Sequence, residues 1–169
     1  MDVLLVDGYN IIGAWPKLRE LKQNDLSAAR DLLIEKMAEY KAYSGYRVII
    51  VFDAHLVKGI EKKKKNHKVE VIFTRENETA DERIEKLAKE LKNVRTQIHV
   101  ATSDFTEQWV IFGQGALRKS AMELLNDMNV IEKQIKTTLQ KKHEKKPSSR
   151  IQLSDEMAEI FEKWRRGDR

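Results

Sequence analysis

Asp7, Asp53, Asp81 and Asp104 are the residues of this 169-residue chain best suited to chemistry by type and position. Asp7 follows the apolar run Val3 to Val6. Asp53 follows Val48 to Phe52, and Asp104 follows Ile98 to Ala101. Short apolar runs rich in β-branched residues and closed by turn residues read as buried strands. Asp81 stands in the first turn of a helix announced by Thr79 and Glu82, which have capping-box spacing. If the strands are parallel, all four carboxylates start from one edge of the sheet. Carboxylates brought close together repel and resist ionisation unless a cation intervenes. Mg²⁺ or Mn²⁺ suits such a set, because hard cations prefer oxygen ligands and retain water and phosphate in their shell. A site of this kind activates water and offsets the charge on a phosphodiester. Each acid also has a purely structural reading. Asp7-Gly8 reads as a turn, Asp53 and Asp104 as strand closers, and Asp81 as a complement to the helix dipole.

Polar neighbours accompany the acids. Asn10, three residues after Asp7, is placed to bond Asp7 or a phosphate, or to cap the next segment. Thr102 and Ser103 are placed to orient Asp104 or to donate to a phosphate, or simply to form a turn. The four histidines, His55, His67, His99 and His143, lack zinc-type spacing. With no cysteine in the chain, disulfides, thiolate metal sites and a thiol nucleophile are excluded.

The elements that must position these residues alternate between strand and helix. Beyond the runs already named, Val69 to Phe73 is a further strand candidate. Leu117 to Ala121 reads as a short fifth strand. Ala29, Leu33, Met37 and Tyr40 mark a helix from about Leu26 to Ala42, ended by Gly45. Ile84, Leu87, Ala88 and Leu91 form one face of the helix after Thr79. A helical stretch from Thr106 to Phe112 precedes the break at Gly113 and Gly115. Leu124, Met128, Ile131, Ile135 and Leu139 mark a long helix. The basic segment Lys141 to Ser149, with Pro147, reads as a linker. Ser154 then caps a last helix carrying Met157, Ile160, Phe161 and Trp164 on one face. Alternating strands and helices imply an α/β fold with a central, mainly parallel sheet flanked by helices. Ligands of such sheets bind at the carboxyl ends of the strands.

A length of 169 residues suits a single core. The net charge of +5 favours a polyanionic partner such as nucleic acid. No apolar run approaches the length of a membrane span and no basic leader precedes the first strand, so a cytoplasmic protein without a membrane partner is expected. Lys62, Lys63, Lys64 and Lys65, with Lys58 and Lys68 nearby, form the densest positive charge. They either track phosphates of RNA or make a solvated loop. Lys141, Lys142, Lys145 and Lys146 form a second cluster, which either tracks phosphates or is a charged helix end and linker. Tyr9 and Trp15 either stack on an unpaired base or pack in the interior. Trp109 reads as core.

Val6-Asp7-Gly8-Tyr9-Asn10 resembles the opening motif of the YacP-like NYN-domain ribonucleases, a branch of the PIN-like nucleases. The resemblance continues through Phe52-Asp53-Ala54, Thr79-Ala80-Asp81-Glu82 and Ala101-Thr102-Ser103-Asp104. It ends with Glu107-Gln108 and Gly113-Gln114-Gly115-Ala116. It implies a PIN-like three-layer fold and an endoribonuclease using one or two Mg²⁺ or Mn²⁺ ions. Asp7, Asp81 and Asp104 fall on the family's acidic positions, Asp53 on a further acidic position, and Asn10 and Ser103 on polar positions beside them. The catalytic set expected is then Asp7, Asp81, Asp104 and Asn10. Asp7, Asp53, Asp81 and Asp104 are expected to hold metal, and Lys62 to Lys65 with Ser103 to contact RNA. The resemblance also implies messenger RNA as substrate, the ribosome as a partner, and products with 5′-phosphate and 3′-hydroxyl ends. Residues 1–146 are expected to form the nuclease domain. Residues 147–169 are expected to supply a linker and a helix that packs on that domain or on a partner.

Two other functions fit parts of the pattern. A phosphatase using an aspartyl nucleophile also places Asp after a first parallel strand. Such enzymes usually carry a second Asp two residues on, where this chain has Tyr9. A non-catalytic RNA- or ribosome-binding module on the same fold is the other alternative, and retention of every acid favours an enzyme over it.

Overall fold

The computed structural model describes residues 1–54, 69–104 and 115–142. Residues Met1–Asn129 form one compact unit and Val130–Arg169 a second. In the second unit the described residues, 130–142, are helical.

The first unit is built on five strands: β1 (Asp2–Asp7), β2 (Arg47–Phe52), β3 (Glu70–Phe73), β4 (Gln97–Ala101) and β5 (Leu117–Lys119). Every pairing is parallel and the order is β3-β2-β1-β4-β5. The central strand β1 is buried from Val3 to Asp7, and β2 from Val48 to Phe52. Continuous apolar runs are what strands covered on both faces require.

Four described helices precede β4: α1 (Gly8–Ala14), α2 (Pro16–Asn24), α3 (Leu26–Ser44) and α4 (Ala80–Leu91). In α3 the predicted face is buried at Ala29, Leu33, Met37 and Tyr40. Asp25 caps it by accepting from the Ala28 N–H (3.2 Å), and Gly45 ends it at φ 75°, a conformation that favours glycine. In α4, Thr79 Oγ1 accepts from the Glu82 N–H (3.3 Å). Ile84 and Ala88 enter a core with Val3, Leu5, Ile49, Val51, Ile98 and Val100. Alternation along the strands therefore puts α4 on the face carrying the odd residues of β1 and β2. Phe52, on the opposite face, meets the Tyr9 ring of α1 at 5.1 Å.

The chain winds from β1 to β2 to β3, then returns through α4 to β4 on the other side of β1. The winding thus reverses between β1 and β4. In open α/β sheets the crevice at such a reversal, outside the strand carboxyl ends, is the usual ligand site.

Three local readings are revised. Asp7-Gly8 is no open turn, because α1 begins at Gly8 directly from the strand. The fifth strand ends at Lys119, and residues 121–129 are already helical. Lys141 and Lys142 are helical rather than part of a linker.

The close entry into α1 depends on Gly8. A Cβ there would lie 2.4 Å from Cδ1 and Cε1 of Phe52. Phe52 is fully buried and also stacks on Phe73 at 5.6 Å, so its ring has little room to yield. Gly8→Ala is expected to destabilise by about 1–3 kcal/mol through overpacking. Urea unfolding followed by circular dichroism measures this, and an unchanged midpoint would show that the ring moves freely.

Candidate functional site

Asp7 closes the central strand, and its residue is only 7% exposed. Burying a carboxylate carries a large desolvation cost that nearby donors or cations must offset. Register sets Val6 beside Ala101, so the next residues along, Asp7 and Thr102, stand side by side across the β1–β4 reversal. The fully buried Thr102 uses one hydroxyl for two tasks. Its Oγ1 donates to Asp7 Oδ2 (3.4 Å) and accepts from the Asp104 N–H (3.1 Å). Asp7 and Asp104 are thereby joined through one side chain.

A second set of bonds braces the same crevice. Asn10 Oδ1 accepts from the Ser103 N–H (2.8 Å). Ser103 Oγ accepts from the Ala121 N–H (3.4 Å), and Ala121 O accepts from Trp15 Nε1 (2.8 Å). The circuit starts in α1, crosses to the residues after β4 and to Ala121, and returns to Trp15 at the end of α1. Asn10 thus holds the backbone beside Asp104 rather than capping a segment. Trp15 is 2% exposed, so of its two readings it takes interior packing. Tyr9 is half-buried, and its hydroxyl accepts from Arg30 Nη1 (3.2 Å). Burial pushes the Tyr9 phenol above its ordinary pKa. The neighbouring Arg30 pulls it down, and the Asp53 carboxylate raises it further. Tyr9 is therefore a neutral phenol at physiological pH.

Asp53 directly follows β2, on the other side of β1 from Asp104, at about one strand spacing, ~4.8 Å, from the central strand. The Ala54 N–H donates to Thr74 Oγ1 (3.0 Å), tying this end of β2 to the residue after β3. Asp81 is exposed in the first turn of α4. Because α4 follows β3 and leads back to the start of β4, its N-terminus lies toward the carboxyl edge of the sheet. The four predicted acids therefore share that edge. Among the described residues, no three Asp, Glu or His side chains are close enough to hold one ion together.

That spacing still fits a Mg²⁺-type ion, which commonly takes one or two carboxylates and fills its shell with water and substrate phosphate. The donors on this edge are carboxylate and hydroxyl oxygens, the chemistry hard cations select. Lys62 to Lys65, Lys58, Lys68, Trp109, Lys145, Lys146 and the final helix lie outside the described residues.

Two residues of the region escaped the sequence reading. Glu78 is buried just before α4, with Arg83 Nη1 3.5 Å and Lys86 Nζ 3.3 Å from its carboxylate. Its signal was burial, which an isolated glutamate does not announce. Ser120 caps the helix after β5, its Oγ accepting from the Glu123 N–H (3.1 Å). Here the signal was legible, since Ser120 and Glu123 repeat the spacing of Thr79 and Glu82.

Comparisons with known proteins agree with this architecture. Residues 4–166 match the YacP-like NYN domain. The chain is 67% identical over 168 residues to the protein YacP of Bacillus subtilis (strain 168), covering 99% of each. The crystal structure of Rae1 (YacP) from Bacillus subtilis superposes with a TM-score of 0.80 at 67% identity, covering 99% of this chain and 97% of that one. The structure of the W164L mutant of that protein gives 0.74 at 65% identity, covering 83% and 82%. With the parallel sheet, the winding reversal and the acids at its edge, these likenesses place the chain in the YacP-like NYN domain family of PIN-like nuclease domains.

Proposed function

We propose that this protein is a Mg²⁺- or Mn²⁺-dependent endoribonuclease that hydrolyses internal phosphodiester bonds of RNA in the cytoplasm. The observation that carries the reading is Asp7, a buried carboxylate on the central strand at the β1–β4 reversal, joined through Thr102 to Asp104. Messenger RNA met at the ribosome is the substrate class that the family resemblance implies.

Asp7, Asp81 and Asp104, with Asp53 on the same edge, are the residues that would hold one or two cations, each ion taking one or two of these carboxylates and completing its shell with water and phosphate. When bound, the cation makes a water nucleophile accessible near neutral pH and offsets charge on the phosphate and the leaving oxygen. Thr102 links the Asp7 carboxylate to the backbone N–H of Asp104. Asn10 and Ser103 fix the backbone that carries Asp104. Ser103 is exposed between Thr102 and Asp104, where it would meet a phosphate bound at this edge.

The test offers two substrates, a long messenger RNA and a small phosphate monoester, each with Mn²⁺ and with excess chelator. Cleavage of RNA alone, ended by the chelator, is expected. Turnover of the monoester without RNA cleavage would replace the reading with a phosphatase. RNA binding with no cleavage of either substrate would replace it with a binding module.

A further inference from the structure

We propose that Arg30 is a phosphate-binding residue for single-stranded RNA at this acidic edge, held in position by the Tyr9 hydroxyl. The proposal deepens the nuclease reading, on which it rests for the identity of the ligand.

The direction of α3 places Arg30. Ser44 ends α3, and only Gly45 and Tyr46 separate it from Arg47, the first residue of β2. The carboxyl end of α3 is therefore at the start of the strands. A 19-residue helix is about 28 Å long. Its N-terminal half accordingly reaches the edge where Asp7 and Asp53 stand, and Arg30 is in that half.

Contacts lead to the same place. Arg30 Nη1 donates to Tyr9 Oη at 3.2 Å. Tyr9 is two residues after Asp7, and its ring meets Phe52, the residue before Asp53. A guanidinium thus sits at the end of the sheet where β1 and β2 present Asp7 and Asp53, and the bond to Tyr9 engages one of its five donors.

The chemistry of the edge calls for such a group. An edge carrying Asp7, Asp53, Asp81 and Asp104 repels a polyanion. A fixed guanidinium lowers that barrier, and its planar fork fits two phosphate oxygens at once. Arg30 is half-buried, so salt screens it less than a surface lysine. Tyr9, itself packed against Phe52, removes rotamer freedom that a free arginine loses on binding.

The measurement is fluorescence anisotropy of a labelled short oligouridine with the full-length protein, in excess chelator, across a series of salt concentrations. Arg30→Ala is expected to weaken binding about tenfold at low salt and to lower the salt slope by about one phosphate contact. Arg30→Lys is expected to keep the slope and recover part of the affinity. Tyr9→Phe is expected to keep the slope and lose affinity a few-fold, because the charge remains but its anchor is gone. Wild-type affinity and slope in Arg30→Ala would overturn the proposal. So would weaker binding with an unchanged slope, which marks lost packing rather than a lost phosphate contact. No cleavage occurs under these conditions, so a failure here leaves the nuclease reading intact. Failure of the nuclease reading shows instead as metal-independent or absent RNA cleavage by wild type, and the salt slope still measures the Arg30 contact independently.

Discussion

Asp7→Asn is expected to lower RNA cleavage by about a thousandfold, ~4 kcal/mol of barrier, while the protein stays folded. Asparagine keeps the size of the side chain and an oxygen to accept from the Thr102 hydroxyl 3.4 Å away. It removes the negative charge that a cation needs. That charge is costly in the metal-free protein, because the residue is 7% exposed. The melting temperature of the metal-free variant is therefore expected to equal or exceed that of wild type, a separation of stability from activity common at catalytic sites. Thermal unfolding in chelator and initial rates in Mn²⁺ measure the two effects on the same preparations. A variant that is both unstable and inactive would assign Asp7 a structural role. One that is stable and fully active would remove it from the site.

The largest effect on stability is expected at Trp15. Its indole is 2% exposed, and Nε1 donates to Ala121 O at 2.8 Å. Trp15→Ala removes most of a buried aromatic and is expected to cost about 3–5 kcal/mol. That is a large share of the ~5–15 kcal/mol that holds a typical domain together. Trp15→Phe is the more informative change. It keeps most of the packing but leaves the Ala121 carbonyl without its donor, at about 1–3 kcal/mol. For a chain of this size that corresponds to a fall in Tm of roughly 2–12 °C. Ala121 also donates through its N–H to Ser103 Oγ, and the Ser103 N–H donates to Asn10. Loosening Trp15 is thus expected to reach the backbone beside Asp104 and to reduce kcat at temperatures where Trp15→Phe is fully folded. A Trp15→Phe protein with wild-type Tm and kcat would show that the circuit transmits nothing.

How much of this was legible in the sequence depended on the range of the interactions. The strands were readable because β1 and β2 are buried on both faces, and such strands need unbroken apolar runs such as Val3 to Val6 and Val48 to Phe52. α3 and α4 were readable because their periodicity and caps are local. α1 and α2 were not. They have seven and nine residues, too few for a clear period, and α1 starts without a side-chain cap from Asp7. Pro16 at the first position of α2 was an available signal of a helix start. The acids were visible because each stands at the end of a recognisable element. The bonds that organise them were not. Thr102 to Asp7 spans 95 residues, Ser103 to Asn10 spans 93 and Trp15 to Ala121 spans 106, so each exists only once strand order and register are set. The same holds for Tyr9 and Arg30, which are in different helices and meet because α1 and α3 pack together near Phe52.

The central claim is that the acidic edge between β1 and β4 holds a divalent cation through Asp7. Titration of Mn²⁺ into wild type and Asp7→Asn, with free Mn²⁺ read by electron paramagnetic resonance, tests it most directly. One or two bound ions in wild type, with at least one lost in Asp7→Asn, is the predicted result. Equal Mn²⁺ binding by the two proteins, or none by either, would contradict it.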